Sequence, residues 1–207
     1  GGGGGLGAGG EPVGMSPGKY FFEDFLPEDQ ARELHRRYLF VGDPILDCAG
    51  PPNLLLQNMG AARFEFAPCN QALQVWRSTY QASWGDFDGD GDPDVYLAND
   101  FAPNNLLRND GNQQFTDVTT QTGTADIGFG MGVSWGDYDN DQKQDLYVTN
   151  MFSKAGRRIT AKIDALNPLY ARMAGGNSLF RNEGGGFEKV SGTAPPALAV
   201  EDAAWSW

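Results

Sequence analysis

Short apolar runs alternate along the chain with turns rich in glycine and asparagine, and from residue 53 this pattern repeats itself. Three segments share one arrangement: NLLLQNMGAARF at 53–64, NNLLRNDGNQQF at 104–115 and NSLFRNEGGGF at 177–187. Each sets apolar residues before an Asn, places a Gly two positions later, and resumes with a Phe. That spacing predicts a β-hairpin closed on a glycine turn. The first two copies register at 51 residues without a gap, and SWGDFD at 83–88 recurs as SWGDYD at 134–139 by the same step. The triplets VYL at 95–97 and LYV at 146–148 are strand formers, and FTDVT at 115–119 reads as the returning strand of the second hairpin.

Repeats of this length, built from short strands, predict propeller blades, because one small sheet cannot bury both faces without neighbours stacked on it. The expected fold class is all-β, a partial propeller of three blade units with a short N-terminal helix and an inserted helix. The chain divides into a Gly-rich lead at 1–19, a helix and connection at 20–52, and the repeats at 53–207, with a helical insert at 153–175. The lead is read as flexible, with packing of the polyglycine as the alternative. In the helix, Pro27, Glu28 and Asp29 suit the N-terminal turn, Ala31, Leu34 and Tyr38 share a face, and Arg36 and Arg37 suit the C-terminal end. The third hairpin starts 73 residues after the second rather than 51, because of the insert, whose Ile159, Ile163 and Leu166 predict a helix ending before Pro168. Trp205, Ser206 and Trp207 match the opening of a further copy. A closed ring takes roughly 4–8 blades, so the expectation is a ring completed by blades beyond these residues or by a partner.

A net charge of −12 argues against nucleic acid or an anionic membrane as the main partner. No run approaches the ~20 apolar residues of a helical membrane span. The excess is concentrated: DFDGDGDPD at 86–94 and DYDNDQKQD at 137–145 hold nine of the 27 acidic residues, and such crowding is unfavourable unless a cation joins the carboxylates. In the first loop Asp86, Asp88, Asp90 and Asp94 occupy positions one, three, five and nine of a tight turn, and Asp92 at position seven offers its carbonyl. Gly91 at position six permits the left-handed conformation such a wrap needs. An all-oxygen set without His or Cys suits a hard ion, and Ca²⁺ best accepts irregular geometry. The second loop keeps Asp137, Asp139, Asp141 and Asp145, with Lys143 offering its carbonyl and its ammonium expected in solvent. Gln142 stands where the glycine stood, which predicts strain or another turn geometry. An EF-hand is excluded, since position twelve is Leu97 or Val148, inside predicted strands. No acidic loop precedes the first hairpin, so a metal-free corner is expected there.

Residues 83–97 and 134–148 resemble the FG-GAP/VCBS repeat, the calcium-loop blade also found in the integrin α-subunit propeller. IGFGMGV at 127–133 is similar to the Phe-Gly stretch for which the repeat is named. The added hairpins resemble bacterial relatives of cartilage acidic protein 1 with an ASPIC/UnbV segment. The resemblance implies an extracytoplasmic propeller whose calcium ions brace blade corners, with Asp86, Asp88, Asp90, Asp92, Asp94, Asp137, Asp139, Asp141, Lys143 and Asp145 as ligands.

The expected function is a non-enzymatic adhesion or structural scaffold, secreted, at the cell surface or in the periplasm, with a protein or glycan surface ligand or self-association. The alternatives are a subunit of a self-assembling extracellular filament or coat, and the accessory propeller of a secreted hydrolase. Nothing in the chain reads as a catalytic constellation: His35 is the sole histidine, and the acidic spacing is that of ligands. Cys48 and Cys69 form one disulfide or stand as two separate thiols. Lys154, Arg157, Arg158, Lys162 and Arg172 make the insert basic, which suits either docking on an acidic neighbour or a solvated helix over a blade edge.

Overall fold

The structure is a computed structural model that describes residues 28–29, 32, 52–67, 72–73, 77–154, 158 and 172–202. The Gly-rich lead, His35, both cysteines, Trp205–Trp207 and most of the insert, with its helix end at Pro168, lie outside the described residues. Glu28, Asp29 and Arg32 are helical, with an Arg32–Glu28 ion pair of 2.5 Å. Lys154, Arg158, Arg172 and Met173 of the insert are also helical.

The fold is all-β, as expected, and its sheets are open and, but for one short pair, antiparallel. The first hairpin is β1 (Leu56–Asn58) with β2 (Phe64–Phe66). A complete blade follows in the order β3 (Ser78–Gly85), β4 (Asp94–Pro103), β5 (Asn105–Asn109) and β6 (Phe115–Asp117), and β7 (Ile127–Phe129) adds to the end of β4. The next blade has the same meander: β8 (Gly132–Gly136), β9 (Asp145–Thr149), β10 (Ser178–Asn182) and β11 (Phe187–Lys189). A short parallel pair, β12 (Ser191–Gly192) and β13 (Leu198–Ala199), follows it.

The recurring asparagines account for the shared blade shape. Asn104 and Asn177, just before β5 and β10, accept through Oδ1 the backbone N–H of Asn99 and Asn150 at 2.8 Å each, closing the connection between the second and third strands of each blade. Asn58, Asn109 and Asn182 each accept an N–H from the turn glycine two residues on, Gly60, Gly111 and Gly184, all at positive φ. The Phe-Gly stretch is glycine-rich for a steric reason: a Cβ on Gly128 would lie 2.3 Å from Asn150 Oδ1, and one on Gly130 2.9 Å from the Asn99 carbonyl.

One strand is shorter than the sequence suggests. The returning strand stops at Asp117, and Thr119–Thr122 forms a helical turn, α1. The Asp117 carboxylate accepts both the backbone N–H and the hydroxyl of Thr119 (3.0 and 2.5 Å), which bends the chain out of the sheet. Gly123 then ends the turn in the left-handed conformation.

The two blades share one core. Phe87, Tyr96, Ala98, Leu106 and Val118 of the first meet Val133, Leu146, Val148 and Phe180 of the second. Polar contacts fix the match: the Gln81 amide both accepts from and donates to the Val133 backbone (2.8 and 3.2 Å), and Trp135 Nε1 donates to the Ser83 carbonyl at 3.3 Å.

The first hairpin repeats the outer half of a blade but not its burial. Leu107 is 0% exposed, whereas Leu56, one repeat earlier, is 50% exposed; Phe115 is 3% exposed and its counterpart Phe64 57%. Strand β5 is covered by β4, while β1 pairs only with β2 among the described strands. Leu107→Ala is therefore expected to cost about 2–5 kcal/mol, in the range of buried Leu truncations, and Leu56→Ala under about 1 kcal/mol. Urea unfolding of the two variants checks this, and equal losses would contradict it.

Candidate metal centres

Each acidic loop lies at the turn between the first and second strands of a blade, and its own carboxylates wrap it. In the first loop Asp86 accepts the backbone N–H groups of Gly89 (2.8 Å) and Gly91 (3.0 Å), Asp88 that of Asp90 (3.3 Å), and Asp90 that of Asp92 (2.8 Å). In the second, Asp137 accepts from Asp141 (3.0 Å) and Gln142 (2.9 Å), Asp139 from Asp141 (3.3 Å), and Asp141 from Lys143 (2.9 Å). The two frames match except that Asp137 takes the N–H at position five where Asp86 takes that at position four.

Asn140 (φ 62°) and Gln142 (φ 71°) adopt the left-handed conformation held by Gly89 and Gly91 in the first loop. Of the two outcomes expected for Gln142, strain and a changed turn, the backbone takes the first. The hydrogen bond from its N–H to Asp137 holds it there against a conformational cost of about 1–2 kcal/mol.

The carboxylates at positions one, three and nine come together. Asp86, Asp88 and Asp94 place one oxygen each within 4.8 Å of one another, and so do Asp137, Asp139 and Asp145. Asp90 and Asp141, at position five, stand outside these groups, as do the side chains of Asp92 and Lys143. The Lys143 ammonium, expected from the sequence to point to solvent, stays on the exposed face of the loop but pairs with the Asp141 carboxylate two residues away. That pairing holds the Asp141 carboxyl below the usual range, the Lys143 hydrogen bond being the largest cause.

Position nine carries the load of each loop. Asp94 and Asp145 are buried, at 0% and 1% exposure, and both oxygens of each accept backbone N–H groups. Asp94 takes Phe87 (3.1 Å) and Asn109 (2.8 Å), and Asp145 takes Tyr138 (3.0 Å) and Asn182 (2.9 Å). One partner belongs to the loop and the other to the outer hairpin. Asn109 and Asn182 also donate through Nδ2 to the carbonyl of the residue before that aspartate, Pro93 at 3.2 Å and Gln144 at 3.1 Å. The sequence reading did not assign these asparagines to the loops. Their identity across the hairpins was the available signal, and it was absorbed by the turn.

Burial pushes the Asp94 carboxyl up to about 6, with Asp88 and Asp90 adding repulsion against two lowering backbone hydrogen bonds. A positive charge at this point would reverse that balance, and the donor set fits a hard cation: three carboxylates with one oxygen of each within 4.8 Å of the others, and no nitrogen or sulfur.

The sign of the pH effect follows. In chelator, the folded protein holds the Asp94 proton more tightly than the unfolded chain does. The stability this gives is complete below the usual aspartate value of 3.8 and is lost as pH rises to about 6. The melting temperature of the wild type relative to Asp94→Asn is expected to fall across that interval in chelator. Thermal melts at several pH values check it, and a difference independent of pH would refute the assignment.

No curated protein matches the chain. Residues 86–148, from the first aspartate of the first loop to the strand after the second, match the FG-GAP-like repeat family. The two loops and the strands between them are thus similar to an FG-GAP-like repeat.

Proposed function

We propose that this chain is a calcium-braced interaction module of the extracellular kind, without catalytic activity. The observation that carries the reading is the duplicated carboxylate group: two neighbouring blades hold the same three oxygens on nearly the same hydrogen-bond frame. Calcium at each group would relieve repulsion among Asp86, Asp88 and Asp94, and among Asp137, Asp139 and Asp145. It would thereby pin each loop to its outer hairpin through Asp94 or Asp145. The carbonyls of Asp92 and Lys143 and the carboxylates of Asp90 and Asp141 are further oxygens for completing the shell.

The non-enzymatic reading rests on how these acids are employed. Their oxygens fold the loops or face the cation position, and Asp94 and Asp145 are buried away from any substrate. FG-GAP-like repeats are interaction modules, and a protein or glycan surface is the proposed ligand class. The exposed Lys154, Arg158 and Arg172 of the insert between β9 and β10 favour an acidic ligand. No helix among the described residues is long and apolar enough to cross a membrane. Placement outside the cytoplasm is proposed from the repeat type, and calcium affinities of about 10⁻⁴–10⁻³ M, the range of extracellular modules, are expected.

Calcium at a hundred times its dissociation constant is expected to stabilise the protein by about 2.7 kcal/mol per site, raising the melting temperature well above that in chelator. Asp88→Asn and Asp139→Asn should each remove about half of the gain, and both together nearly all of it. Scanning calorimetry with calcium, magnesium and chelator checks this. Equal melting temperatures in calcium and chelator would overturn the reading.

A further inference from the structure

The two acidic loops touch each other through the second blade. Gln144, at position eight of the second loop, accepts the backbone N–H of Asp86 through its Oε1 at 3.0 Å. Asp86 is the first carboxylate of the first loop. Next to Gln144, Asp145 accepts the N–H of Asn182, and Asn182 Nδ2 donates at 2.7 Å to the carbonyl of Phe87, the second residue of the first loop. Asn182 is 1% exposed, so its contact with Phe87 lies in the core and is shielded from water.

The packing permits this approach at one position only because it is glycine. A Cβ on Gly85 would lie 2.8 Å from Gln144 Oε1 and 2.7 Å from the Trp135 ring. The first loop has no side chain equivalent to Gln144, since its position eight is Pro93. The contact is therefore a feature of this pair of loops and not of the repeat pattern.

We propose that the two cation sites are energetically coupled, with Gln144 and Asn182 as the connecting residues. The inference rests on the calcium reading above. A cation in the second loop fixes Asp145, and with it Gln144 and Asn182. These two hold the backbone at Asp86 and Phe87, so the first loop meets its cation with less ordering still to be done. Coupling of this kind is reciprocal: each cation strengthens binding of the other by the same factor.

The test is calorimetric titration of the full chain with calcium, using Asp139→Asn to disable the second loop and Asp88→Asn to disable the first. With the second loop disabled, the first is expected to bind about fivefold more weakly, at the low end of typical coupling factors. Asp88→Asn should weaken the second loop equally. In a Gln144→Met background, where the exposed side chain loses its acceptor but neither carboxylate group changes, the factor should shrink toward one. Melting in chelator verifies that the Gln144→Met protein is folded. Two ions binding with affinities indifferent to the other loop would overturn the coupling, and a factor untouched by Gln144→Met would overturn its route through Gln144, each leaving the calcium reading intact. No calcium uptake by the wild type would overturn both.

Discussion

A buried carboxylate without a counter-ion is expensive, and each complete blade is organised around one. Asp94 and Asp145 open the second strand of their blades, and each accepts one backbone N–H from its loop and one from the outer hairpin. A single side chain thus sets the loop's curl, the strand's start and the hairpin's position. Hydrogen bonds to a charged acceptor stabilise more than neutral ones, yet at Asp94 burial still wins and favours the proton. A fold that places its central acid this way is stabilised by a cation brought beside it.

The blades are joined by the same economy of groups. The apolar core between them supplies most of the driving force, but apolar contact alone does not set the relative height of two sheets. That is set by directional contacts: Gln81 on the Val133 backbone, Trp135 on the Ser83 carbonyl, and Gln144 and Asn182 on the first loop. The loops consequently meet at the blade interface through Asp86, Phe87 and Gln144, while most of their other residues are exposed.

Much of this was legible in the chain. The repeat step, the strand triplets and the aspartate spacing follow from period and composition, since side chains in short strands and tight turns are dictated by near neighbours in sequence. The helical turn at Thr119–Thr122 was not, because it depends on Asp117 capturing Thr119 instead of continuing an apolar strand pattern. Convergence of the fifth-position carboxylates also failed to appear. Asp141 finds a cation two residues away in Lys143, a local competitor that ligand spacing alone does not reveal.

The sequence by itself determined the blade repeat, the two acidic loops and the left-handed positions their wrapping requires, because these are constraints acting over a few residues. Only the tertiary structure decided which of the equivalent hairpins is buried, that Asn109 and Asn182 belong to the loops, and that Gln144 reaches Asp86 across 58 residues of chain. Those outcomes depend on which strands lie side by side. Burial and hydrogen bonding between distant segments are settled by the stacking of whole sheets, and no local pattern encodes the partner.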